Sequence, residues 1–231
     1  MDLDYVAHLK SRHSTPRPLT IAHRAGNELG LLPLAEAAGV DLVETDVWLH
    51  RGRLEVRHLK TLGPVPVLWD RWRLAPAWTP RLLLDDLLRA VQPQTTLLLD
   101  LKGRNPRCPD LLLETVRRAG AEDRFVACSQ TWPFLDALRR TAGTRVVYSI
   151  GKPRQLAAIW PRLAALDHPA VSIHEQLLDP ATVHALKERG TSIITWPINH
   201  DRRKDELLAL GIDGIISDNL DLLRQVVRGS A

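Results

Sequence analysis

The stretch TSIITWPINHDRRKDELLALGIDGIISDNLDLL, residues 191–223, holds two strand–helix units in succession. An apolar run at 191–196 precedes the amphipathic segment DRRKDELLALG, and a second run at 213–216 precedes NLDLLRQVV. Asp or Asn at the start of a segment and Gly at its end are typical of helix boundaries. Strands that alternate with helices favour a parallel sheet, because each helix carries the chain back to the start of the next strand. This stretch therefore predicts an α/β fold.

The same alternation runs through the rest of the chain. Six further apolar runs end in polar residues, at 19–23, 42–49, 96–101, 125–128, 145–149 and 170–173. The amphipathic segments that follow include LLPLAEAAG, RLLLDDLLRAV, PDLLLETVRRAG, WPFLDALRRTAG, RQLAAIWPRLAAL and DPATVHALKERG. Eight such units close as a (β/α)8 TIM barrel. We predict a single domain over residues 1–231, with an N-terminal extension at 1–17 and a small hairpin after the second strand.

Charged side chains stand where three of these strands end, in the pieces IAHRAG, VETDVWLHRGRLEVRH and LLLDLKG. Uncompensated charges at the end of an apolar strand cost on the order of several kcal/mol. In a TIM barrel the catalytic groups lie at the C-terminal ends of the strands, so a function is the economical explanation. The candidate residues are His23, Arg24, Glu44, Asp46, His58, Asp100 and Lys102.

The spacing of the carboxylates predicts a metal site. Side chains alternate along a strand, so Glu44 and Asp46 share one face, and Asp100 and Lys102 share another. Three carboxylates brought together repel one another, and a hard divalent cation resolves the conflict. Oxygen ligands alone suit Mg²⁺ or Ca²⁺ better than Zn²⁺. Two alternatives stay open: the Glu44 and Asp46 pair could bind an arginine, and Lys102 could serve only as an ion-pair partner of Asp100.

In this order, the motifs resemble those of the glycerophosphodiester phosphodiesterase family, a TIM-barrel superfamily. HRAG is similar to the family's His-Arg-Gly opening, and ETDVWL with RLEVRH is similar to its Glu-x-Asp strand and returning histidine strand. LLLDLKG stands where the family has a Glu-x-Lys strand. Residues 191–223 are similar to its Trp-Thr-Val-Asn segment and Gly-(Val/Ile)-Asp-Gly-Ile strand. The resemblance runs from about Leu19 to the C-terminus.

The resemblance implies metal-dependent hydrolysis of glycerophosphodiesters to an alcohol and glycerol 3-phosphate. The implied catalytic acid–base pair is His23 and His58. The implied ligands of a divalent metal ion, Mg²⁺ or Ca²⁺, are Glu44, Asp46 and Asp100. In the family, a substrate hydroxyl next to the phosphate attacks first, one histidine acts as base and the other protonates the leaving oxygen.

Three further residues are expected to bind the substrate. The resemblance implies that Arg24 and Lys102 contact the phosphate, where their charges would stabilise the phosphoryl oxygens. Trp196 ends a strand on an inward face, so we predict an apolar wall for a glycerol or headgroup there, with packing in the core as the alternative. The expected partner is a small phosphodiester.

The chain departs from the family at three points. The usual Pro-Glu-Asn-Thr segment after the first strand is replaced by NELGLLPLAEAAG, in which Glu28 is a candidate for the lost polar groups. The third carboxylate is Asp100 rather than Glu, and Leu59 replaces an aspartate. An aspartate ligand and a short first helix also resemble the sphingomyelinase D branch, although that branch lacks HRAG and uses disulfides. The alternatives are therefore a sphingomyelinase D or lysophospholipase D-like phosphodiesterase, or a catalytically weak barrel that binds a phosphorylated ligand.

Composition limits the remaining possibilities. The chain has 231 residues, 45% of them hydrophobic, and a net charge of +4. Its basic residues are scattered without interleaved aromatics, so we do not expect nucleic-acid binding. Cys108 and Cys128 lack metal-ligand spacing and favour reduced thiols in a cytoplasmic protein. We recognise neither a signal peptide nor a membrane-spanning run, and the sequence does not determine the oligomeric state.

The least regular segment is HLKTLGPVPVLWDRWRLAPAWTP, residues 58–80. Its apolar side chains are predicted either to form a wall of the pocket or to pack over the barrel mouth, and they include Leu62, Val65, Trp69, Trp72 and Trp78. His174 follows a strand and could reach the mouth. We interpret Asn199 and Asp218 as turn and cap residues.

Overall fold

Thirteen strands are found in the computed structural model of the protein, which describes residues 5–13, 16–61, 67–70, 73–76, 80–141 and 143–229. In chain order they are β1 Leu19–Ala22, β2 Leu42–His50, β3 Arg53–Val56, β4 Lys60–Thr61, β5 Val67–Asp70, β6 Arg73–Pro76, β7 Leu82–Leu83, β8 Thr96–Lys102, β9 Phe125–Ser129, β10 Val146–Ile150, β11 Ala170–His174, β12 Ser192–Trp196 and β13 Gly214–Ser217. The eight predicted apolar runs all form strands, each within one residue of its expected bounds.

Eight of these strands form a closed parallel barrel, in the order β1, β2, β8, β9, β10, β11, β12 and β13. The barrel closes because β1 pairs in parallel with both β2 and β13. The predicted TIM barrel is therefore confirmed. Its register aligns Asp46 with Asp100, so carboxylates from β2 and β8 reach the same level of the barrel.

Helices surround the barrel. Among the described residues they are α1 Tyr5–Ser11, α2 Leu32–Ala37, α3 Leu84–Ala90, α4 Cys108–Arg118, α5 Trp132–Leu138, α6 Pro153–Ala158, α7 Trp160–Leu163, α8 Pro180–Lys187, α9 Asp201–Ala209 and α10 Leu220–Arg228. The segment RQLAAIWPRLAAL forms two helices, α6 and α7, rather than one. Pro161 explains the break, because proline has no N–H to donate to the carbonyl four residues earlier.

The core has two parts that follow the alternation of side chains along the strands. Val43, Val47, Leu97 and Leu99 point outward into a cluster packed under the helices. The barrel interior is filled by a second buried cluster, contributed by Leu19, Ile21, Leu42, Leu98, Val126, Cys128, Val147, Ala170, Ile194 and Ile216. Helix α1 adds Tyr5, Val6 and Leu9 to this second cluster. Part of the predicted N-terminal extension is therefore a helix whose apolar side chains complete the barrel interior.

The predicted hairpin follows the second barrel strand. β2 and β3 pair in antiparallel fashion, with His50 opposite Arg53, and β7 pairs with the outer side of β3. β4, β5 and β6 form a separate three-stranded antiparallel sheet.

Trp69, on β5, has 41% of its surface exposed. Four of the side chains expected to form a wall or to cover the mouth lie outside the described residues: Leu62, Val65, Trp72 and Trp78. In the described part of the chain, none of the helices has the length and apolar character needed to cross a bilayer.

Candidate active site

A cavity of about 450 Å³ opens at the C-terminal end of the barrel. Its wall includes all eight residues singled out from the sequence: His23, Arg24, Glu44, Asp46, His58, Asp100, Lys102 and Trp196. They come from the ends of β1, β2, β8 and β12 and from the loop after β3. The structure therefore brings together residues that lie up to 173 positions apart in the sequence, between His23 and Trp196.

Three carboxylates form one cluster on the cavity wall. Glu44, Asp46 and Asp100 each offer an oxygen, and these oxygens all lie within 4.8 Å of one another. Glu44 and Asp46 are almost fully buried. Oδ1 of Asp100 is also buried and makes no hydrogen bond within the described residues. A buried carboxylate oxygen without a partner is costly, so an all-oxygen donor set with such an atom fits a hard divalent cation.

Lys102 is the cation nearest to this cluster. Its Nζ lies 2.9 Å from Oδ1 of Asp46 and also donates to Oδ2 of Asp100. The ion pair with Asp100 is thus present, with Asp46 as a second partner. Nε of Arg24 also lies 3.9 Å from Oδ2 of Asp46, so the arginine contact considered from the sequence is present as well. One ammonium and one guanidinium do not neutralise three carboxylates, so the cluster keeps a deficit of positive charge.

The charge deficit is reflected in the pKa values of the cluster. Burial, together with the charges of Asp46 and Asp100, raises the pKa of Glu44 well above its ordinary value. Burial also raises the pKa of Asp100, in spite of the nearby Lys102. Burial acts in the same direction on Asp46, but Lys102 and the Asn27 amide outweigh it and lower the pKa of that carboxyl. A divalent cation bound at this site would stabilise the ionised form of these carboxylates.

Asn27 supports Asp46 and was not predicted from the sequence. Its Nδ2 donates to Oδ2 of Asp46 at 2.8 Å, and its Oδ1 accepts from the Asp46 backbone N–H at 2.8 Å. Glu28, the candidate for the polar groups of the missing family segment, is instead exposed. The close approach of this turn to β2 requires Gly26, because a Cβ there would lie 2.8 Å from Cβ of Thr45.

His23 is held from behind by a chain of polar groups. Its Nδ1 lies 2.8 Å from Oδ1 of Asp218, and Asn199 Nδ2 donates to Oδ2 of Asp218 at 3.1 Å. Burial acts to raise the pKa of Asp218, but the hydrogen bond and charge of His23 outweigh it and lower that pKa. Asp218 is therefore ionised and accepts, which places the proton of a neutral His23 on Nδ1. Its Nε2 then faces the carboxylate cluster, 4.0 Å from Oε2 of Glu44.

The interpretation of Asn199 and Asp218 as turn and cap residues is incomplete. The helix cap at this position is Asn219, whose side chain accepts from the N–H groups of Asp221 and Leu222. Asp218 and Asn199 instead orient His23. The signal in the sequence was the polar run Ser217-Asp218-Asn219 directly after a predicted barrel strand.

Arg24 contacts both Glu44 and His58. Its backbone lies in the left-handed region, with φ 54°, which few residues other than glycine adopt. In this conformation its N–H donates to Oε2 of Glu44 at 2.6 Å. Its guanidinium Nη2 lies 2.7 Å from Nε2 of His58. Since a guanidinium can only donate, Nε2 of His58 is the acceptor in this contact.

Trp196 faces the cavity from the opposite side of the barrel. Its ring packs edge to face against His174, with the ring centroids 4.9 Å apart. His174 also lines the cavity, so it reaches the mouth of the barrel, and its Nδ1 accepts from the N–H of Gln176. This side of the cavity offers aromatic surface in place of charge.

The fold and the site define a class: a TIM barrel with a cluster of acidic residues and two histidines at the C-terminal ends of its strands. Residues 100–222 match the family model described as the glycerophosphoryl diester phosphodiesterase family. That match covers more than half of the chain. The chain belongs to this family.

Comparisons with individual proteins agree with this assignment. A glycerophosphodiester phosphodiesterase of Caldanaerobacter subterraneus subsp. tengcongensis is 24% identical over 125 residues, which cover 53% of this chain and 50% of that relative. The matched region thus spans half the length of this curated relative.

Solved structures resemble the whole barrel. An Oleispira antarctica phosphodiesterase in complex with the product sn-glycerol-3-phosphate superposes with a TM-score of 0.75 at 20% identity, covering 92% of this chain and 97% of that one. A glycerophosphodiester phosphodiesterase of Thermotoga maritima gives a TM-score of 0.72 at 18% identity, with 90% and 98% covered. At these identities the likeness shows a shared fold.

Proposed function

We propose that this protein hydrolyses glycerophosphodiesters to an alcohol and glycerol 3-phosphate, with the help of a bound divalent cation. The observation that carries the proposal is the presence of two histidines and three carboxylates on the wall of one cavity. A barrel that only bound a phosphorylated ligand would need cations but no acid–base pair. Family membership and the product held by the Oleispira antarctica relative support the same reading.

Glu44, Asp46 and Asp100 would hold the metal ion, with Mg²⁺ or Ca²⁺ as the candidates. The unpartnered Oδ1 of Asp100 and the all-oxygen donor set fit such an ion. When bound, the ion supplies positive charge that polarises the phosphoryl oxygens. Asn27 would keep Asp46 in place as a ligand, since it contacts both the carboxylate and the backbone N–H of that residue.

His23 and His58 would move the protons. Asp218 fixes the tautomer of His23, so that Nε2 faces the cavity and is able to take a proton from an attacking hydroxyl. In the family scheme this hydroxyl belongs to the substrate and lies next to the phosphate. The second histidine, His58, would give a proton to the alcohol oxygen as the phosphorus–oxygen bond breaks, which leaves a cyclic phosphate. In a second step water would open this cyclic phosphate, with the two histidines in exchanged roles, and so give glycerol 3-phosphate. An imidazole suits both roles near neutral pH.

Arg24 and Lys102 would neutralise charge on the phosphate, since both lie on the cavity wall beside the carboxylates. Preorganised cations of this kind act most strongly on charge that grows in the transition state. Trp196, with His174, would offer an apolar face to the glycerol or headgroup. The apolar surface on one side of the cavity and the charges on the other would give a bound substrate a defined orientation.

A panel of phosphodiesters assayed with and without metal tests this proposal. We expect release of glycerol 3-phosphate from glycerophosphodiesters, loss of turnover in EDTA, and recovery with Mg²⁺, Mn²⁺ or Ca²⁺. Glu44→Ala should abolish turnover, and Glu28→Ala is the matched control because Glu28 is exposed beside the site. Full activity in chelator would overturn the metal assignment.

The same panel separates the alternatives. Hydrolysis of lysophosphatidylcholine or sphingomyelin, with no release of glycerol 3-phosphate from any glycerophosphodiester, would favour a sphingomyelinase D or lysophospholipase D-like enzyme. Binding of glycerol 3-phosphate by calorimetry without turnover of any diester would favour a barrel that only binds a phosphorylated ligand.

A further inference from the structure

A second groove, of about 690 Å³, adjoins the active-site cavity. Gln130 and Thr131 line both the cavity and the groove. The chain also connects the two, because Gly103 lines the cavity and the next residue, Arg104, lines the groove. Oγ1 of Thr131 donates to the carbonyl of Gly103 at 2.8 Å, which fixes the shared wall. The groove therefore lies beside the active-site mouth and shares one of its walls.

The groove is positively charged. Three arginines line it, and no carboxylate occurs among the described residues of its lining. Arg162 is compensated, because it contacts Oδ2 of Asp136 at 3.1 Å and stacks over Trp132 with 5.0 Å to the ring centroid. Among the described residues Arg140 donates only to the backbone carbonyl of Asp136, and Arg104 is exposed. Within the described residues neither Arg104 nor Arg140 has an ion pair, so two guanidinium groups remain available.

The position of the groove in the barrel suits one of the two substituents of a diester whose phosphate lies at the carboxylate cluster. The groove begins at the end of β8, and Trp196 ends β12, which stands four strands away in the eight-stranded ring. These two points therefore lie on opposite sides of the mouth, and the carboxylate cluster, carried by β2 and β8, stands on the side of the groove. A diester whose phosphate lies at the cluster would extend one substituent toward Trp196 and the other toward Arg104.

We propose that this groove is a subsite for the leaving alcohol and that it selects alcohols carrying a carboxylate or a phosphate. The inference rests on the proposed phosphodiesterase function. Planar guanidinium groups match the oxygen pairs of carboxylate and phosphate, which gives them geometric as well as electrostatic preference. An alcohol with a quaternary ammonium group would be disfavoured by the same two charges.

The test compares four glycerophosphodiesters that differ in the charge of the alcohol. Glycerophosphoglycolate carries a carboxylate, bis(glycerophospho)glycerol carries a second phosphate, glycerophosphoglycerol is neutral and glycerophosphocholine is cationic. We expect kcat/KM for each anionic alcohol to exceed that for the cationic one by about tenfold, mostly through KM, since two exposed ion pairs each change binding by a few-fold. The preference should shrink as salt is raised.

Variants assign the preference to the groove. Arg104→Glu and the double variant Arg104→Ala/Arg140→Ala should each lower the ratio of anionic to cationic kcat/KM by about fivefold or more. Arg107→Ala removes the same charge from the same loop, outside the groove lining, and should leave the ratio unchanged. Turnover without charge preference, or a ratio that Arg104→Glu does not change, would overturn the subsite alone. Absence of turnover with every diester would overturn the phosphodiesterase function and the subsite together.

Discussion

The Nδ1 atom of His23 and Oδ1 of Asp218 lie 2.8 Å apart, across the junction where the first and last strands of the barrel pair. This contact exists only when the barrel is closed, because the two residues are 195 positions apart in the sequence. The lowered pKa of Asp218 keeps it ionised near neutral pH. The orientation of the proposed base thus depends on closure of the fold.

Asp218→Asn is predicted to lower kcat while KM and metal affinity hold. An asparagine amide can donate to Nδ1, which would move the imidazole proton to Nε2 and leave no acceptor facing the substrate. Loss of such an orienting partner costs about 10- to 100-fold. Steady-state kinetics with calorimetric metal titration measures both quantities. Asp221→Asn, at an exposed side chain three residues further along the chain, is the control, and equal effects of the two substitutions would contradict a positioning role for Asp218.

His23→Ala and His58→Ala are each predicted to reduce turnover by roughly 10²–10⁴-fold, the usual contribution of a positioned acid or base. Neither histidine is among the proposed metal ligands, so calorimetric metal affinity should persist in both variants. His200→Ala is the control, because His200 is exposed. Near wild-type turnover in either variant would remove that histidine from the proposed acid–base pair.

Asp100 is one of the positions at which the chain departs from the family pattern, and its substitution tests direct ligation. Asp100→Asn should weaken metal affinity, because it removes one of three charges. If Asp100 is a direct ligand, Asp100→Glu should overfill the site and lower activity, because the added methylene pushes the ion toward Glu44.

A metal reached through water would give the opposite result for the longer side chain. Asp100→Glu would then displace the water and be tolerated, or bind the metal more tightly. We expect direct ligation, since the unpartnered Oδ1 is buried within the cluster. Mg²⁺ affinity and turnover of the two variants decide between these outcomes, and an Asp100→Asn variant with wild-type affinity would exclude this residue from the metal site.

Glu44 is predicted to make the stability of the metal-free protein depend on pH. Its pKa in the folded protein is raised by burial and by Asp46 and Asp100, whereas the unfolded chain has the ordinary value near 4.5. The folded state therefore holds the proton more tightly, and the associated stability is present below pH 4.5 and is lost as pH rises through the raised pKa.

Glu44→Gln mimics the protonated side chain and should remove this dependence. In EDTA we expect the variant to have a higher Tm than the wild type at pH 8, with a difference that shrinks as the pH approaches 4.5. Thermal unfolding followed by circular dichroism over this range measures the difference. A constant difference between the two proteins at all pH values would contradict the raised pKa.

Much of the fold could be predicted from the sequence because the signals are local. Each barrel strand is a short apolar run, and side-chain alternation placed Glu44 and Asp46 on the same face without knowledge of the barrel. The boundary between α6 and α7 was missed because a proline inside an amphipathic segment can either kink or end a helix. That choice depends on packing against neighbours.

The candidate site was only partly predictable for a similar reason. Residues with strong local signals, such as His23 in HRAG, were found. Asn27 and Asp218 were not, because their roles consist of contacts with strands that are distant in sequence. An asparagine in a turn or an aspartate before a helix has a common local explanation, and only the closed barrel shows that each supports a different functional side chain.

Helix α1 covers the N-terminal end of the barrel, where Tyr5, Val6 and Leu9 join the interior cluster. Within the described residues this end of the barrel interior is therefore covered, so substrate, metal ion and both products would all enter and leave through the C-terminal mouth. Glycerol 3-phosphate would then have to leave by the route that the next diester uses to enter. Competition between the product and the incoming substrate for the C-terminal mouth would then follow from the architecture of the barrel.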